Sequence, residues 1–323
     1  MTNILIAIAA GCASALMFAS IISGAAISLA LFYLAPLPLL VACLGWGPFA
    51  ASIGGIAAAT LLGLIFGMPY LLAFAVTVAL PAWWLGHLCL LGREVSPGVV
   101  ATQGVEATAP VMEWYPIGRV LLWLAAFAVL TTCAALLTLG GDAATISATL
   151  KSGLGRIMGS RTDGTITPGS EPVINALVAI APGAAAIVAI LTLTLNLWLA
   201  AKVTAMSGRL KRSWPDLRMA TLPPMTLVAL PVAIALSFTE GLLGIAGQII
   251  SSSLLMAYAF TGLGTLHMLM SGVSSRVLWL SSIYAALMVF GWPVLIMAGL
   301  GIADAFFGIR SRLILRRQHT PAI

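Results

Sequence analysis

Long apolar runs separated by short polar segments make up most of this 323-residue chain. The run Leu121–Leu139 is typical, because it contains no charged residue. About 20 helical residues cross the hydrocarbon core of a bilayer, and most of the runs are near that length. The pattern therefore predicts about ten helices, near residues 4–23, 25–44, 47–66, 69–91, 117–140, 174–201, 222–238, 242–270, 277–290 and 293–309. We expect 1–91 to form an N-terminal four-helix block and 222–309 a C-terminal helical block.

Three polar segments divide these runs. We interpret 92–116 as a cytoplasmic loop and 202–220 as a basic cytoplasmic loop. Residues 141–173 are predicted to form an external loop. Within it, apolar residues recur at helical spacing over 142–158, which indicates an interfacial helix. They are Ile146, Leu150, Leu154 and Ile157.

Proline marks three expected breaks. Because it lacks a backbone donor and disfavours helix at the residue before it, Pro36-Leu37-Pro38 should interrupt the second helix and Pro81 the fourth. Gly291-Trp292-Pro293 should form a turn between the last two helices. One kinked helix over 277–309 is the alternative.

Composition sharpens this picture. Hydrophobic residues make up 61% of the chain and charged residues only 7%, whereas a soluble domain carries roughly 25% charged residues. The fold class is therefore an all-α, polytopic transmembrane bundle, with 1–323 as a single integral membrane domain. The expected partner is the lipid bilayer. The net charge of +6 does not indicate nucleic acid, because the basic residues lie at helix ends.

The basic residues also predict orientation, because cytoplasmic loops carry the excess of Lys and Arg. With ten crossings and both termini inside, twelve basic residues face the cytoplasm and three the outside; eight crossings satisfy the same test. The inner set is Arg93, Arg119, Lys202, Arg209, Lys211, Arg212, Arg218, Arg276, Arg310, Arg312, Arg316 and Arg317, and the outer set is Lys151, Arg156 and Arg161.

Small residues recur every fourth position in two helices. In the third they are Gly47, Ala51, Gly55, Ala59, Gly63 and Gly67, and in the first Ala7, Gly11, Ala15 and Ala19. Such a stripe lets another helix approach closely. We interpret the third-helix stripe as intramolecular packing. For the first helix, docking on a partner subunit is an open alternative.

Few polar residues lie within the apolar runs, and ionisable groups at membrane depth are functional-site hypotheses by default. The candidate ligand-binding residues are Glu240, Gln248, His267 and Asp304. Glu240 would line a cavity or belong to a solvated turn, and His267 would serve packing or a proton relay. For Asp304, pairing with Arg310 or Arg312 is favoured over a substrate contact.

No catalytic set follows from these residues. The histidines at 87, 267 and 319 are too scattered for a metal motif, and no Gly-rich phosphate loop or G-x-S-x-G motif occurs. We therefore expect no enzyme activity, no cofactor and no metal.

Three segments carry a resemblance. Pro36-Leu37-Pro38-Leu39 is followed by Gly45, Gly262-Leu263-Gly264 lies within Tyr258–His267, and Gly299-Leu300-Gly301-Ile302-Ala303-Asp304 runs into Arg310. In these features the chain resembles YybS-like bacterial inner-membrane proteins, a family of unknown function. That family is similar to the substrate-binding (S) subunits of energy-coupling-factor transporters, although those have about six helices.

The resemblance implies a transport-related protein that binds a small molecule. It also implies a transmembrane coupling subunit as partner, docked through small residues of the first helix, where Ala7-x-x-x-Gly11-x-x-x-Ala15 stands. The alternative is a membrane scaffold or assembly factor that uses the basic segments 202–218 and 310–317.

Overall fold

The computed structural model describes residues 2–95, 111–158 and 171–318. The predicted helical fold is confirmed, and two short strands are the sole extended elements in those ranges. The α-helices are α1 (Thr2–Ala19), α2 (Ala26–Tyr33), α3 (Pro36–Trp46), α4 (Pro48–Phe66), α5 (Met68–Phe74), α6 (Leu80–Leu90), α7 (Ile117–Leu137), α8 (Ala143–Met158), α9 (Glu171–Met206), α10 (Thr226–Leu236), α11 (Gly241–Leu269), α12 (Arg276–Phe290), α13 (Val294–Phe307) and α14 (Ile309–Gln318). The strands are β1 (Gly92–Val95) and β2 (Val111–Trp114).

Seven helical segments within the described ranges are long and apolar enough to cross a membrane. The number rises to eight if α13 and α14, which meet at a bend of 62°, count as one span. Two shorter apolar helices, α10 and α12, accompany them. Helices suit this environment because they satisfy their own backbone hydrogen bonds where lipid offers no partner. The chain is thus a multi-pass membrane protein.

The prolines break the helices where expected. Leu34 and Ala35 separate α2 from α3, and a π-helical turn at Ala75–Ala79 precedes Pro81 in α6. The α2–α3 break is tied down from two sides: the Ser14 hydroxyl donates to the carbonyl of Ala35 at 2.5 Å, and the Asn196 amide donates to that of Tyr33 at 2.8 Å.

The chain divides into two compact units. The first, here the N-terminal unit, consists of residues up to Leu124 together with Leu191–Pro215. In it α1 packs on α4 so closely that a Cβ at Gly11 would meet the carbonyl oxygen of Gly54. A Cβ at Gly54 would meet the carbonyl of Ala7. Such contact between glycine faces is how membrane helices associate.

This packing accounts for the first-helix stripe. Ala7, Gly11 and Ala15 are buried, and Ala19 is half-buried. The small-residue face therefore lies against α4 of the same chain.

In α4 the predicted stripe is correct in its middle and wrong at its ends. Ala51 and Ala59 are buried, and a Cβ at Gly63 would come within 2.8 Å of Leu71 Cδ1. Gly47 and Gly67 instead flank the helix, with φ of +99° and +93°. Glycine adopts this backbone region without the strain that a side chain would add.

The remaining interior position of that stripe, Gly55, packs within the chain too, since a Cβ there would lie 3.3 Å from Ala79 Cβ.

A further correction concerns 92–116, predicted as a loop. There β1 and β2 pair antiparallel, with Gly92 opposite Trp114 and Val95 opposite Val111. Residues 96–110 between them lie outside the described ranges.

The second compact unit, here the C-terminal unit, consists of Ala125–Ile190 and Asp216–Ile323. Its tightest crossing joins α11 and α13: a Cβ at Gly262 would meet the carbonyl of Met297, and a Cβ at Gly301 would meet that of Tyr258. Thr226 of α10 and Tyr258 of α11 share a buried hydrogen bond of 2.7 Å between their hydroxyl groups.

The helix predicted over 142–158 is confirmed as α8. Ile146 is buried against Leu136, Ala186 and Ile249, with Leu150 partly buried beside them. Leu154 is half-buried and Ile157 is 79% exposed, so only the first half of the apolar stripe packs on the unit. Residues 159–170 of the predicted external loop lie outside the described ranges.

The segment 277–309 consists of two helices with a turn at residues 291–293 between them, as expected, in place of one kinked helix. The chain leaves helical geometry at Gly291, whose φ is +69°, and resumes it as α13 after Pro293. A second glycine with positive φ, Gly308, ends α13 and begins the 62° bend into α14.

Candidate functional site

The four candidate ligand-binding residues do not form one site. Gln248 and His267 lie on the same helix, α11, 19 positions apart by number, which is about 28 Å along its axis. Glu240 precedes that helix and is exposed, with no capping hydrogen bond from its side chain. A solvated turn fits its position. Asp304 lies on α13.

Gln248 ties two helices together. Its amide donates to the carbonyl of Ala179 in α9 at 2.8 Å. This carbonyl lies beside that of Val178, whose helical donor is removed by Pro182. Gly183 allows the approach, since a Cβ there would lie 2.7 Å from the hydroxyl oxygen of Ser252.

His267 serves a similar role at the other end of α11. Its Nε2 lies 2.8 Å from the hydroxyl of Tyr284 in α12. This contact joins α11 to a helix whose side chains are otherwise mostly exposed. The packing interpretation accounts for this histidine.

Asp304 forms the most enclosed polar contact, and its predicted pairing with Arg310 is confirmed. The residues are 5% and 6% exposed. One Asp304 oxygen accepts the Arg310 Nε–H at 2.7 Å and lies 2.6 Å from Nη2. The other accepts the Arg310 backbone N–H at 2.8 Å. Gly308 makes this possible, because its left-handed turn brings the chain back toward Asp304.

The remaining donor of Arg310 reaches a distant part of the chain. Its Nη1 donates to the carbonyl of Arg218 at 2.7 Å and to that of Ala220 at 2.8 Å. We call Asp304, Arg310 and these two carbonyls the clasp. A guanidinium satisfied by a carboxylate and two carbonyls is a rigid fixture. The clasp therefore holds the end of the basic segment 202–220 in place.

A cavity of about 230 Å³ opens beside the residues that the clasp fixes. Its walls combine four apolar side chains with a serine and one charged pair. They are Met219, Met268, Leu313, Ile314, Ser271, Asp216 and Arg218. We call it the clasp cavity.

The charged pair at the clasp cavity is half-exposed. Arg218 Nε donates to Asp216 Oδ1 at 3.0 Å, and so does the backbone N–H of Arg218. The hydrogen bond from Arg218 holds the pKa of the Asp216 carboxyl below its usual range, and the same pairing raises the pKa of Arg218. Both groups therefore carry charge at neutral pH. A cation beside apolar walls suits an anion with a short apolar part.

Sequence reasoning predicted the Asp304 pairing but missed the cavity. The missed residues lie in three separate segments: the turn at 216–219, the end of α11 and the face of α14. The spacing Asp216-x-Arg218 in a basic loop was the one available signal. Within the described ranges, no three His, Cys, Asp or Glu side chains lie close enough together to hold a metal ion.

Comparison with protein-family models, with curated proteins and with solved structures finds no match for this chain.

Proposed function

We propose that this chain is a transport-related membrane protein of the bacterial inner membrane, and that its clasp cavity binds a compact anionic amphiphile. One observation carries the proposal: the wall that bears Arg218 is held by a buried ion pair. A binding site needs such preorganisation, because a ligand then spends little free energy on ordering the protein. Proteins that bind and release a solute do not need catalytic groups.

The cavity limits the ligand's size and chemistry. Its volume of about 230 Å³ is below the range of roughly 300–1,000 Å³ usual for drug-sized ligands. A short-chain carboxylate or alkyl phosphate fits this description. Its anion would replace Asp216 as the partner of Arg218, and its carbon chain would lie against Met219, Met268 and Leu313.

The proposed topology has ten crossings, with both termini in the cytoplasm; eight crossings are the alternative. The distribution of Lys and Arg supports this orientation. It places the clasp cavity and the basic segment 202–220 at the cytoplasmic border. A tag on either terminus should then be protected from protease in intact spheroplasts.

The binding test uses the full-length purified chain in detergent micelles, with octanoate and hexyl phosphate as probes in equilibrium titrations. Arg218→Gln should weaken the binding of one probe or both by about tenfold or more, the loss expected for a charge-assisted hydrogen bond. Lys211→Gln is the matched control, because this exposed cation lies in the same basic segment but not in the cavity wall. Equal affinity of wild type and Arg218→Gln for both probes would refute the proposal.

The resemblance to S subunits adds a transmembrane coupling subunit as a proposed partner. Because the small-residue face of α1 lies against α4, the partner would contact the opposite side, where Leu5 and Leu16 are exposed. Leu16→Cys should then cross-link to the coupling subunit in native membranes, whereas Ala15→Cys should not. Uptake of the identified ligand would establish transport.

A scaffold or assembly factor is the second candidate, and the 62° bend before α14 favours it. The bend turns a helix that contains Arg310, Arg312, Arg316 and Arg317 away from the axis of α13. Truncation after Leu315 tests this role and keeps the clasp, which deletion from Arg310 would destroy. Loss of a membrane assembly on this truncation, with probe binding retained, would favour the scaffold.

A further inference from the structure

Three cations of the N-terminal unit lie on tryptophan rings and not beside any carboxylate that the structure describes. Lys202 Nζ lies 4.7 Å from the centre of the Trp214 ring and 5.9 Å from that of Trp198. The Arg209 guanidinium lies 4.7 Å from the centre of the Trp46 ring. Rings attract cations through their negative faces but do not neutralise them. These two side chains are therefore positioned while keeping their full charge.

Arg212 is the most constrained member of the group. Its guanidinium lies 5.9 Å from the Trp114 ring, and Nη2 donates to the carbonyl of Tyr115 at 3.0 Å. Its Nη1 is buried and has no hydrogen-bond partner. A buried donor without an acceptor is costly, and more so on a charged group. Burial accordingly lowers the pKa of this guanidinium.

Within the part of the chain that the structure describes, no carboxylate forms an ion pair with these three cations. The ion pairs that join residues of the described ranges involve Arg93, Lys151, Arg218 and Arg310, and none involves Lys202, Arg209 or Arg212. Glu113 precedes Trp114 but is paired with Arg93 at 2.7 Å. Successive side chains of a strand point to opposite faces, so Glu113 points away from the face that bears Trp114.

We propose that Arg212 is the centre of a phosphate-binding site, here called the tryptophan cradle, to which Arg209 and Lys202 of the same segment add positive charge. The Nη1 of Arg212, which is buried and unpartnered in this structure, would be the donor, and guanidinium groups match the geometry of phosphate oxygens. Tryptophan rings are typical of the membrane border, where lipid phosphates lie. Trp198 and Lys202 lie in the last turns of α9, a helix long and apolar enough to cross a membrane, and Arg209 and Arg212 follow its end. The phosphate that the cradle binds comes from an anionic lipid headgroup or from a free phosphate.

The tryptophan cradle is independent of the clasp cavity. The two lie in different compact units and share no residue. The clasp cavity has apolar walls and an arginine paired with a carboxylate. The cradle has aromatic walls and an arginine with no ion pair to any residue that the structure describes. Failure of either proposal leaves the other standing.

The test measures lipid binding to the full-length chain in detergent by native mass spectrometry. Phosphatidylglycerol is the anionic probe and phosphatidylcholine the neutral one. We expect selective binding of phosphatidylglycerol and a ten- to hundredfold loss of its affinity in Arg212→Gln, about the effect of one charged hydrogen-bonding group. Glutamine keeps an N–H for the Tyr115 carbonyl, which protects the fold. Lys211→Gln is the matched control, since it removes the adjacent exposed cation.

Two further arms complete the design. Inorganic phosphate at millimolar concentration distinguishes the sources: if it displaces the lipid, the site takes phosphate itself, and if not, the site takes the lipid headgroup. If Arg212→Gln fails to fold, Arg209→Gln replaces it, with an expected loss of about fivefold for one exposed cation. Unchanged affinity in the folded variant, an equal loss in Lys211→Gln or equal binding of both lipids would overturn the proposal.

Discussion

The clasp allows the most specific prediction about stability, because Arg310 is buried and hydrogen-bonds both Asp304 and two distant carbonyls. Arg310→Met keeps most of the side-chain volume and removes the guanidinium. It leaves the Asp304 side chain, which is only 4% exposed, without a cation. It also leaves the carbonyls of Arg218 and Ala220 without their donor.

The magnitude follows from the burial of the pair. Breaking a buried pair by removing one partner costs about 3–5 kcal/mol. We therefore expect Arg310→Met to lower the free energy of unfolding by about 3–5 kcal/mol.

The assay is a titration of the detergent-solubilised chain with SDS, followed by tryptophan fluorescence. Arg312→Met is the matched control, because Arg312 is an exposed arginine on the same helix. The double variant Asp304→Leu with Arg310→Met should be more stable than Arg310→Met alone, since the unpaired charge is gone. The reasoning fails if Arg310→Met unfolds like wild type, or if Arg312→Met loses as much stability.

Two further outcomes follow from the structure. Gly301→Ala should lower the free energy of unfolding by about 1–3 kcal/mol, because its Cβ would meet the carbonyl of Tyr258; Gly299→Ala on the same helix meets nothing within 4 Å and should be neutral in the same SDS titration. Asp142 accepts the backbone N–H of Thr145 at 2.9 Å and its hydroxyl at 2.6 Å. Asp142→Ala should therefore raise hydrogen exchange in the first turn of α8, with Lys151→Ala as the control. The hydrogen bond from the Thr145 hydroxyl lowers the pKa of the Asp142 carboxyl. In the wild type, protection of this turn from hydrogen exchange should therefore be complete above the usual carboxyl pKa. It should be lost only as the pH falls through the lowered pKa.

Local patterns predicted the helices well because lipid imposes a simple rule: a long apolar run must satisfy its own backbone. The same reasoning failed at the ends of α4, where a repeat of four continued through Gly47 and Gly67. Periodicity does not show where a helix stops, but the prolines at Pro48 and Pro69 did carry that signal, since proline favours the first turn. The strand pair was missed because each strand is only four residues long, which is too short for an alternation of apolar and polar residues to stand out.

The candidate site was less predictable for a different reason. Asp304 and Arg310 are close in the sequence, so their pairing follows from a glycine turn between them. The carbonyls of Arg218 and Ala220 lie about ninety positions before Arg310 in the sequence. A backbone carbonyl is present at every residue, so no pattern of side chains predicts which one accepts a hydrogen bond. Residue type alone marks Gln248 and His267 as candidate ligand-binding residues. Membrane depth makes such residues noteworthy but does not say whether their partner is a ligand or a neighbouring helix.

The difference between Arg310 and Arg212 shows how to separate structural from ligand-binding cations in this chain. The Nε and Nη2 atoms of Arg310 contact the Asp304 carboxylate, and its Nη1 donates to two carbonyls. Its charge is therefore compensated by Asp304. Arg212 donates one hydrogen bond to a carbonyl and lies beside one tryptophan ring, but its buried Nη1 has no acceptor. Within the described ranges, no carboxylate lies at ion-pair distance from it. An uncompensated cation costs stability, and a bound anion at the proposed site would offset that cost. Substituting Arg310 should therefore damage folding first, whereas substituting Arg212 should damage binding first.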